Sequence, residues 1–383
     1  MSKKRIVALI ATLTLAVGLF AGCKPVEEKK PETTAPAGET KKEETKAPTK
    51  KFKIGLSTDE GGLNDKSFNQ AADSGVKKAV TEFGVEYKPI ESKAKEDYET
   101  NLDALINDNS DLVFGIGFQM ETAMENIAKK YKDKKFALID SGAFEDPAAK
   151  EPVQLKNVAS YLFKANEASF LMGVIAGKMT TTGKVGFIGG KDFALINEFE
   201  AGFAAGVKAV NPKAAEDLVN RKNVKYADSF GDTNKGKVLA NDLINSGVDV
   251  IYHAAGGVGE GMFQAIKEAT DGGKKVWGIG VDMDQAATLP QYAKYILSSA
   301  LKRVDTATYE ATKSIVDNKF QGGKIITLGL KEAGVGIAPS SSANTPKDVL
   351  DLVAKYEQAA KDGKLVVPTK PADVKNFTAP EVK

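Results

Sequence analysis

Carboxylates, glycines and phenylalanines gather at the ends of apolar runs in this sequence, while the residues of most hydrolytic and metal chemistry are scarce. The 383 residues include a single histidine, His253, and a single cysteine, Cys23. A disulfide within the chain is therefore impossible, and a Cys/His zinc site lacks ligands. A Ser-His-Asp or Cys-His pair would rest on His253 alone. What remains is recognition chemistry. Carboxylates accept from O–H and N–H groups, an ammonium donates, glycine backbone permits close approach, and flat rings stack.

The richest segment is TDEGGLNDKSFNQ (58–70). Gly61-Gly62 allows a tight turn, Asp65 suits a helix N-cap, and Ser67-Phe68-Asn69-Gln70 open a helix. Capping accounts for Asp65 and Ser67, but Asp59 directly follows a buried strand and has no local partner. Phe68 and Phe199 each stand early in a helix of a different half. Either alone reads as core; facing one cleft, the pair would hold a flat ring, at roughly 0.5–1.5 kcal/mol per aromatic pair beyond area burial. HAAGGVG (253–259) is a glycine-rich turn without G-x-G-x-x-G spacing, and Asp282 meets the acidic ribose position only loosely. Its glycines suit approach of backbone amides to a ligand, and His253 reads as structural. Asp282 and Lys302 could together hold vicinal hydroxyls, although Lys302 reads equally well as surface charge.

These residues need elements to position them. Apolar runs of strand length occur at 52–57, 112–117, 136–140, 184–190, 248–254 and 276–282. Helix-period segments lie between them at 67–83, 98–109, 119–132, 166–180, 197–210, 232–246 and 259–272. Continuous apolar strands separated by helices predict an α/β protein with parallel sheet covered on both faces. The series restarts near 184, which predicts two Rossmann-like lobes. Ligands of open parallel sheets bind beyond the carboxyl ends of the strands, where Asp59, Phe118-Gln119, Asp140, Gly256 and Asp282 stand. TPKDVLDLVAKYEQAAKDG (345–363) predicts a further helix with Thr345 as N-cap, Pro346 in its first turn and Gly363 near its end. The Pro- and Lys-rich tail beyond is expected to be loosely ordered.

The first fifty residues read as an address. Lys3, Lys4 and Arg5 precede an uncharged stretch from Ile6 to Phe20, then Ala21-Gly22-Cys23. This is the layout of a secretory signal peptide over 1–22. As a helix the apolar stretch would reach only ~22 Å, short of a ~30 Å hydrocarbon core. LFAGC resembles a lipobox, with Phe20 where Leu is usual, so Cys23 is expected to carry lipid at the outer face of the cell membrane. Residues 23–50 lack aromatic residues and nearly all large apolar ones, the composition of a disordered tether reaching roughly 26–31 Å. The formal net charge of +2 gives no electrostatic case for nucleic acid.

The segments STDEGGLNDKSFNQ, LVFGIGF, FALID, ANEASFLMGVIAG, VGFIGG with EFEAGFAAG, AAGGVG, GVDMDQ and SALKR occur in order through nearly all of 52–340. Together they resemble the basic membrane protein family, which includes purine nucleoside receptor lipoproteins of bacterial ABC transporters. The resemblance implies a type I periplasmic-binding-protein fold, two lobes joined by three crossovers at a hinge. It allots 51–162 plus about 284–317 to the N-terminal lobe, 163–283 plus about 318–340 to the C-terminal lobe, and 341–383 to a terminal helix and tail. It implies a nucleoside, purine favoured, with its base between Phe68 and Phe199. Asp59, Asn69 and Asp140 would stand near the ligand, and Gly256, Asp282 and Lys302 near the ribose. No cofactor and no catalytic step are implied; the partners are the nucleoside and an ABC permease, and the chain is expected to act as a monomer. The alternatives are capture of a sugar or other small polar metabolite, and a surface receptor that senses its ligand without transport.

Overall fold

The computed structural model describes residues 51–382. The expectations for the leader, Cys23 and the tether lie outside the described residues. Among the described residues twelve strands form two sheets of six. In chain order they are β1 (Lys53–Thr58), β2 (Glu86–Ile90), β3 (Leu112–Ile116), β4 (Phe136–Ile139), β5 (Val158–Phe163) and β6 (Val185–Gly189). They continue with β7 (Val224–Tyr226), β8 (Val250–Ala254), β9 (Trp277–Asp282), β10 (Ile296–Lys302), β11 (Ile325–Leu328) and β12 (Val335–Ile337). The first sheet runs β2-β1-β3-β4-β5-β11 and the second β7-β6-β8-β9-β10-β12. All pairings are parallel except β10 with β12.

Helices follow the strands in turn: α1 (Phe68–Phe83), α2 (Tyr98–Asn107), α3 (Glu121–Lys130), α4 (Ala165–Met179), α5 (Ala194–Val210) and α6 (Pro212–Val219). Next come α7 (Thr233–Asn245), α8 (Val258–Asp271), α9 (Gln285–Thr288), α10 (Val304–Val316), α11 (Lys347–Lys361) and α12 (Pro371–Val374). The central strands β3, β4, β6 and β8 are buried along their whole length, as parallel strands covered on both faces must be. The two lobes and their linked sheets are a type I periplasmic-binding-protein-like arrangement.

The chain passes between the sheets three times. It leaves β5 through Lys164 into α4, returns after β10 through Arg303 into α10, and leaves again between β11 and β12. The places of passage differ from those expected. Residues 284–302 belong with the second sheet, because β10 pairs with β9; β11, expected in the C-terminal lobe, pairs with β5 in the first. The sequence conceals β10 because ILSSALK carries two serines. Both are buried and satisfied: Ser298 Oγ lies 2.7 Å from Ser341 Oγ, and Ser299 Oγ accepts from the Gln285 amide at 3.1 Å.

The C-terminal segment also departs from expectation. α11 forms as read, but Thr345 does not cap it; its buried hydroxyl donates to Leu297 O at 2.9 Å. The tail is not loose. Leu365, Val367 and Val374 are buried, Phe377 meets Phe170 edge to face at 6.0 Å, and Asn166 Nδ2 donates to Val367 O at 2.8 Å. This covering explains α4, which is apolar nearly all round. α4 and α5 cross at the distance of backbone contact: a Cβ on Gly206 would stand 2.0 Å from Phe170 O. Gly206→Ala should therefore lower stability by about 1–3 kcal/mol, as overpacking does, or roughly 2–4 °C per kcal/mol in thermal unfolding. Gly336→Ala, where a Cβ meets nothing within 4 Å, serves as the control and should leave the transition unchanged.

Candidate functional site

Where the carboxyl ends of the two sheets face each other they enclose a cavity with about 500 Å³ of empty space, counting its mouth. The first lobe contributes Asp59, Phe68, Asn69 and Asp140, and the second Phe199, Gly256, Asp282 and Lys302. The structure thus brings all eight sequence-selected residues to one place. It adds residues that sequence reading did not select: Glu60, Leu195, Ile196 and Phe230. Phe118, marked by the strand-end rule after β3, also lines the cavity. Phe230 had no such signal, since it lies in an irregular loop beyond the three-residue strand β7.

Asp65 organises the first wall. Its two oxygens accept from the amides of Ser67, Asn69 and Gln70 at 2.9–3.0 Å, which fixes the start of α1 and so places Phe68 and Asn69. Asn69 Nδ2 donates to Asp59 Oδ1 at 3.1 Å and to Glu60 O at 3.3 Å, leaving Asn69 Oδ1 a buried acceptor without a partner among the described residues. Asp59 packs so close to Gly117 that a Cβ there would stand 2.2 Å from its carboxylate; Gly117 also has φ +105°. Burial pushes the Asp59 carboxyl up to about 8, with the Asn69 amide working against that rise.

The second wall meets the first through charge. Lys302 at the end of β10 donates to Asp140 after β4, and both side chains are buried. Three rings surround the ammonium: Phe68, Phe163 and Phe199, with centroids 4.9, 5.3 and 5.5 Å from Nζ. Asp140 Oδ1 has no partner among the described residues, and burial raises the Asp140 carboxyl while Lys302 opposes the shift. Asp282 accepts from Ser67 Oγ of the other lobe; burial carries it up to about 7 against the pull of Lys302. Glu198 rises to about 7 for the same reason. Gly256, with φ +55°, lies against the backbone of Phe230.

His253 stands outside this cavity. Its ring is buried, Nε2 meets Gln285 Oε1 at 2.7 Å, and burial lowers its pKa to about 4, so it is neutral at pH 7. Gln285 in turn donates to Lys66 O of the first lobe at 3.0 Å. The histidine supports a link between lobes.

The arrangement suits capture of an uncharged polar ligand with a flat portion. Rings from both lobes flank the space, and acceptors outnumber donors. A raised carboxyl has a sign that can be tested. Between about pH 4 and 8 the folded chain holds a proton on Asp59 that the unfolded chain releases, so ligand-free stability falls as pH rises through that window. Asp282 acts in the same direction up to about 7, whereas His253 acts oppositely between about 4 and 6.5. Urea unfolding between pH 6.5 and 8.5 should therefore show declining stability, and Asp59→Asn should flatten the decline. A slope identical in the variant would contradict this account.

Comparison with known proteins agrees with the architecture. The family described as "ABC transporter substrate-binding protein PnrA-like" (Bmp) matches residues 52–369. A CD4+ T-cell-stimulating antigen of Listeria monocytogenes is 37% identical over 96% of this chain and 100% of its own length. An ABC transporter nucleoside-binding protein BmpA of Lactococcus lactis is 35% identical over the same shares. A solved solute-binding protein of an ABC transporter system from Aeropyrum pernix superimposes with a TM-score of 0.72 at 30% identity, covering 85% of this chain and 96% of that one. This chain belongs to the Bmp family of PnrA-like ABC transporter substrate-binding proteins and is a binding protein rather than an enzyme.

Proposed function

We propose that the chain captures nucleosides, purine nucleosides above all, between its two lobes and delivers them to an ABC permease from the outer face of the cell membrane. The observation that carries this reading is the pair Phe68 and Phe199, brought from opposite lobes to one cavity that also holds buried carboxylates. A base between the rings would turn its N–H groups toward Asp59 and Asn69. The ribose hydroxyls would meet Asp282, Lys302 and the free oxygen of Asp140. The name of the Lactococcus relative supports the same ligand class. A nucleotide fits poorly, because the lining ammonium, Lys302, is already paired with Asp140, while Glu60 and the raised carboxyls of Asp59 and Asp282 would face a phosphate. Cys23 would hold the protein by lipid, and the lobes would work as a monomer.

The test uses the full chain with Cys23→Ser, unfolded and refolded to strip any carried-over ligand. At 100 times its dissociation constant, a nucleoside stabilises by about 2.7 kcal/mol, or roughly 5–11 °C in thermal unfolding. Inosine and guanosine should give such shifts, while ribose and the 5′-monophosphates should not. Phe68→Ala and Phe199→Ala should each abolish them. A refolded chain that responds only to ribose or glucose, or to nothing in the panel, would refute the ligand assignment. The anchor is tested separately: cells fed a labelled fatty acid should label the wild-type chain and not Cys23→Ser.

A further inference from the structure

A second connection between the lobes lies at the rim of the cleft. Lys191, in the turn between β6 and α5, extends its ammonium from the second lobe to the first. There Glu60 Oε1 and Gln119 Oε1 each lie 2.9 Å from Nζ. The same Glu60 oxygen accepts from the amide of Phe230 at 3.2 Å. One carboxylate after β1 thus gathers two separate segments of the other lobe, the β6–α5 turn and the β7–α7 loop.

Rings cover the same rim. Phe118 of the first lobe meets Phe193 at 5.3 Å and Phe230 at 6.2 Å, both edge to face, and Lys191 Nζ lies 5.9 Å from the Phe230 centroid. Lys191, Gln119 and Phe193 do not line the cavity. Their own side chains thus join the lobes from outside the space a ligand would fill, through partners (Glu60, Phe118 and Phe230) that do line it. The Lys191 and Glu60 side chains are 19% and 27% exposed, shielded enough for the pair to exceed a solvated one and open enough for salt to reach it.

We infer that Lys191 is a latch: held by Glu60 and Gln119, it sets the balance between open and closed lobes in the ligand-free chain. Through that balance it sets how long a captured molecule stays, whatever that molecule is. The inference rests on the two-lobed binding reading but not on the nucleoside assignment. Opening the lobes breaks every one of these contacts that crosses between them, so loss of the latch acts on escape rather than on encounter.

The experiment places spin labels on exposed positions of opposite lobes, Glu145→Cys and Asn234→Cys, in the full chain with Cys23→Ser. Distance distributions without ligand should show a closed population in the otherwise wild-type chain. Lys191→Met should lower the closed-to-open ratio about tenfold, the scale of one hydrogen bond to a charged group. Gln119→Leu should lower it less, and Lys191→Arg should largely restore it. High salt should shift the wild-type distribution and leave that of Lys191→Met unmoved. With inosine as probe, dissociation should quicken about tenfold in Lys191→Met while the order of preference among nucleosides is kept. Identical ligand-free distributions in wild type and Lys191→Met, including both wholly open, would overturn the latch. So would an altered order of preference. If inosine and guanosine fail to bind the wild type, the ligand assignment falls while the label distances still decide the latch.

Discussion

Lys302 carries a charge into the buried wall of the cleft, and much of the cleft follows from that. A buried ammonium must be paired, and its partner Asp140 belongs to the other lobe. The pair therefore exists only while the lobes are together. Desolvating both ions opposes closure, and the carboxylate, the three surrounding rings and the polar groups of a ligand offset that cost. Among the described residues Asp140 has one oxygen still unpartnered, and Asn69 Oδ1 of the same lobe stands in the same condition. A ligand that satisfies these atoms and also meets Phe199 and Asp282 of the second lobe gains contacts that only the closed form offers, which is the differential affinity that closure on capture requires.

The hinge turns this local requirement into a movement of whole lobes. The three chain passages lie side by side and bond to one another: Lys164 N donates to Leu328 O at 3.0 Å and Arg303 N to Gly334 O at 2.8 Å. Leu330 N donates to Glu167 Oε2 at 2.7 Å, tying the third passage to the start of α4. Segments this short and this well bonded restrict the lobes to rotation about one line. Lys302 is the last residue before the second passage. The group that needs closure is thus placed beside the axis, while Lys191 reaches across the rim.

Some of this was legible in the residues and some was not, for physical reasons. The central strands announce themselves because burial on both faces demands unbroken apolar runs. The edge strands β2 and β7 are partly exposed and carry no such run, and β11, though IITL, is half exposed. β10 is paired on both sides, yet its two buried serines disguise it. That disguise moved the expected passage between lobes by a whole strand. Asp59, Asp140, Asp282 and Gly256 could be found because strand ends in parallel sheets have a known use. Phe68 and Phe199 could be found because each stands early in the helix after the first strand of its series, although α5 begins at Ala194 and sets Phe199 a turn further in. Phe230 and the Lys191 contact depend on loop conformations and on the approach of two lobes, and no local pattern encodes either.

The two lobes repeat one plan, and the site depends on where the repeat fails. β1 to β5 correspond in order and pairing to β6 to β10. Phe68 and Phe199 follow the first strand of each series, and Asp140 and Asp282 stand at the end of the fourth. Both carboxylates adopt left-handed backbone, with φ +70° and +64°, a conformation that Asp tolerates better than bulkier residues. Asn would satisfy that backbone equally well, but it would leave Lys302 without a counter-charge at Asp140. At the end of the fifth strand the lobes differ: the first has Phe163 and the second has Lys302. Two lysines at this station would set two ammonium groups against each other across the closed cleft. Two phenylalanines would leave Asp140 and Asp282 buried with no cation nearby. One of each lets a single ammonium serve the carboxylates of both lobes while a third ring covers it. A symmetrical fold thereby acquires a cavity whose two walls are unlike, with rings and an ion pair gathered at one place.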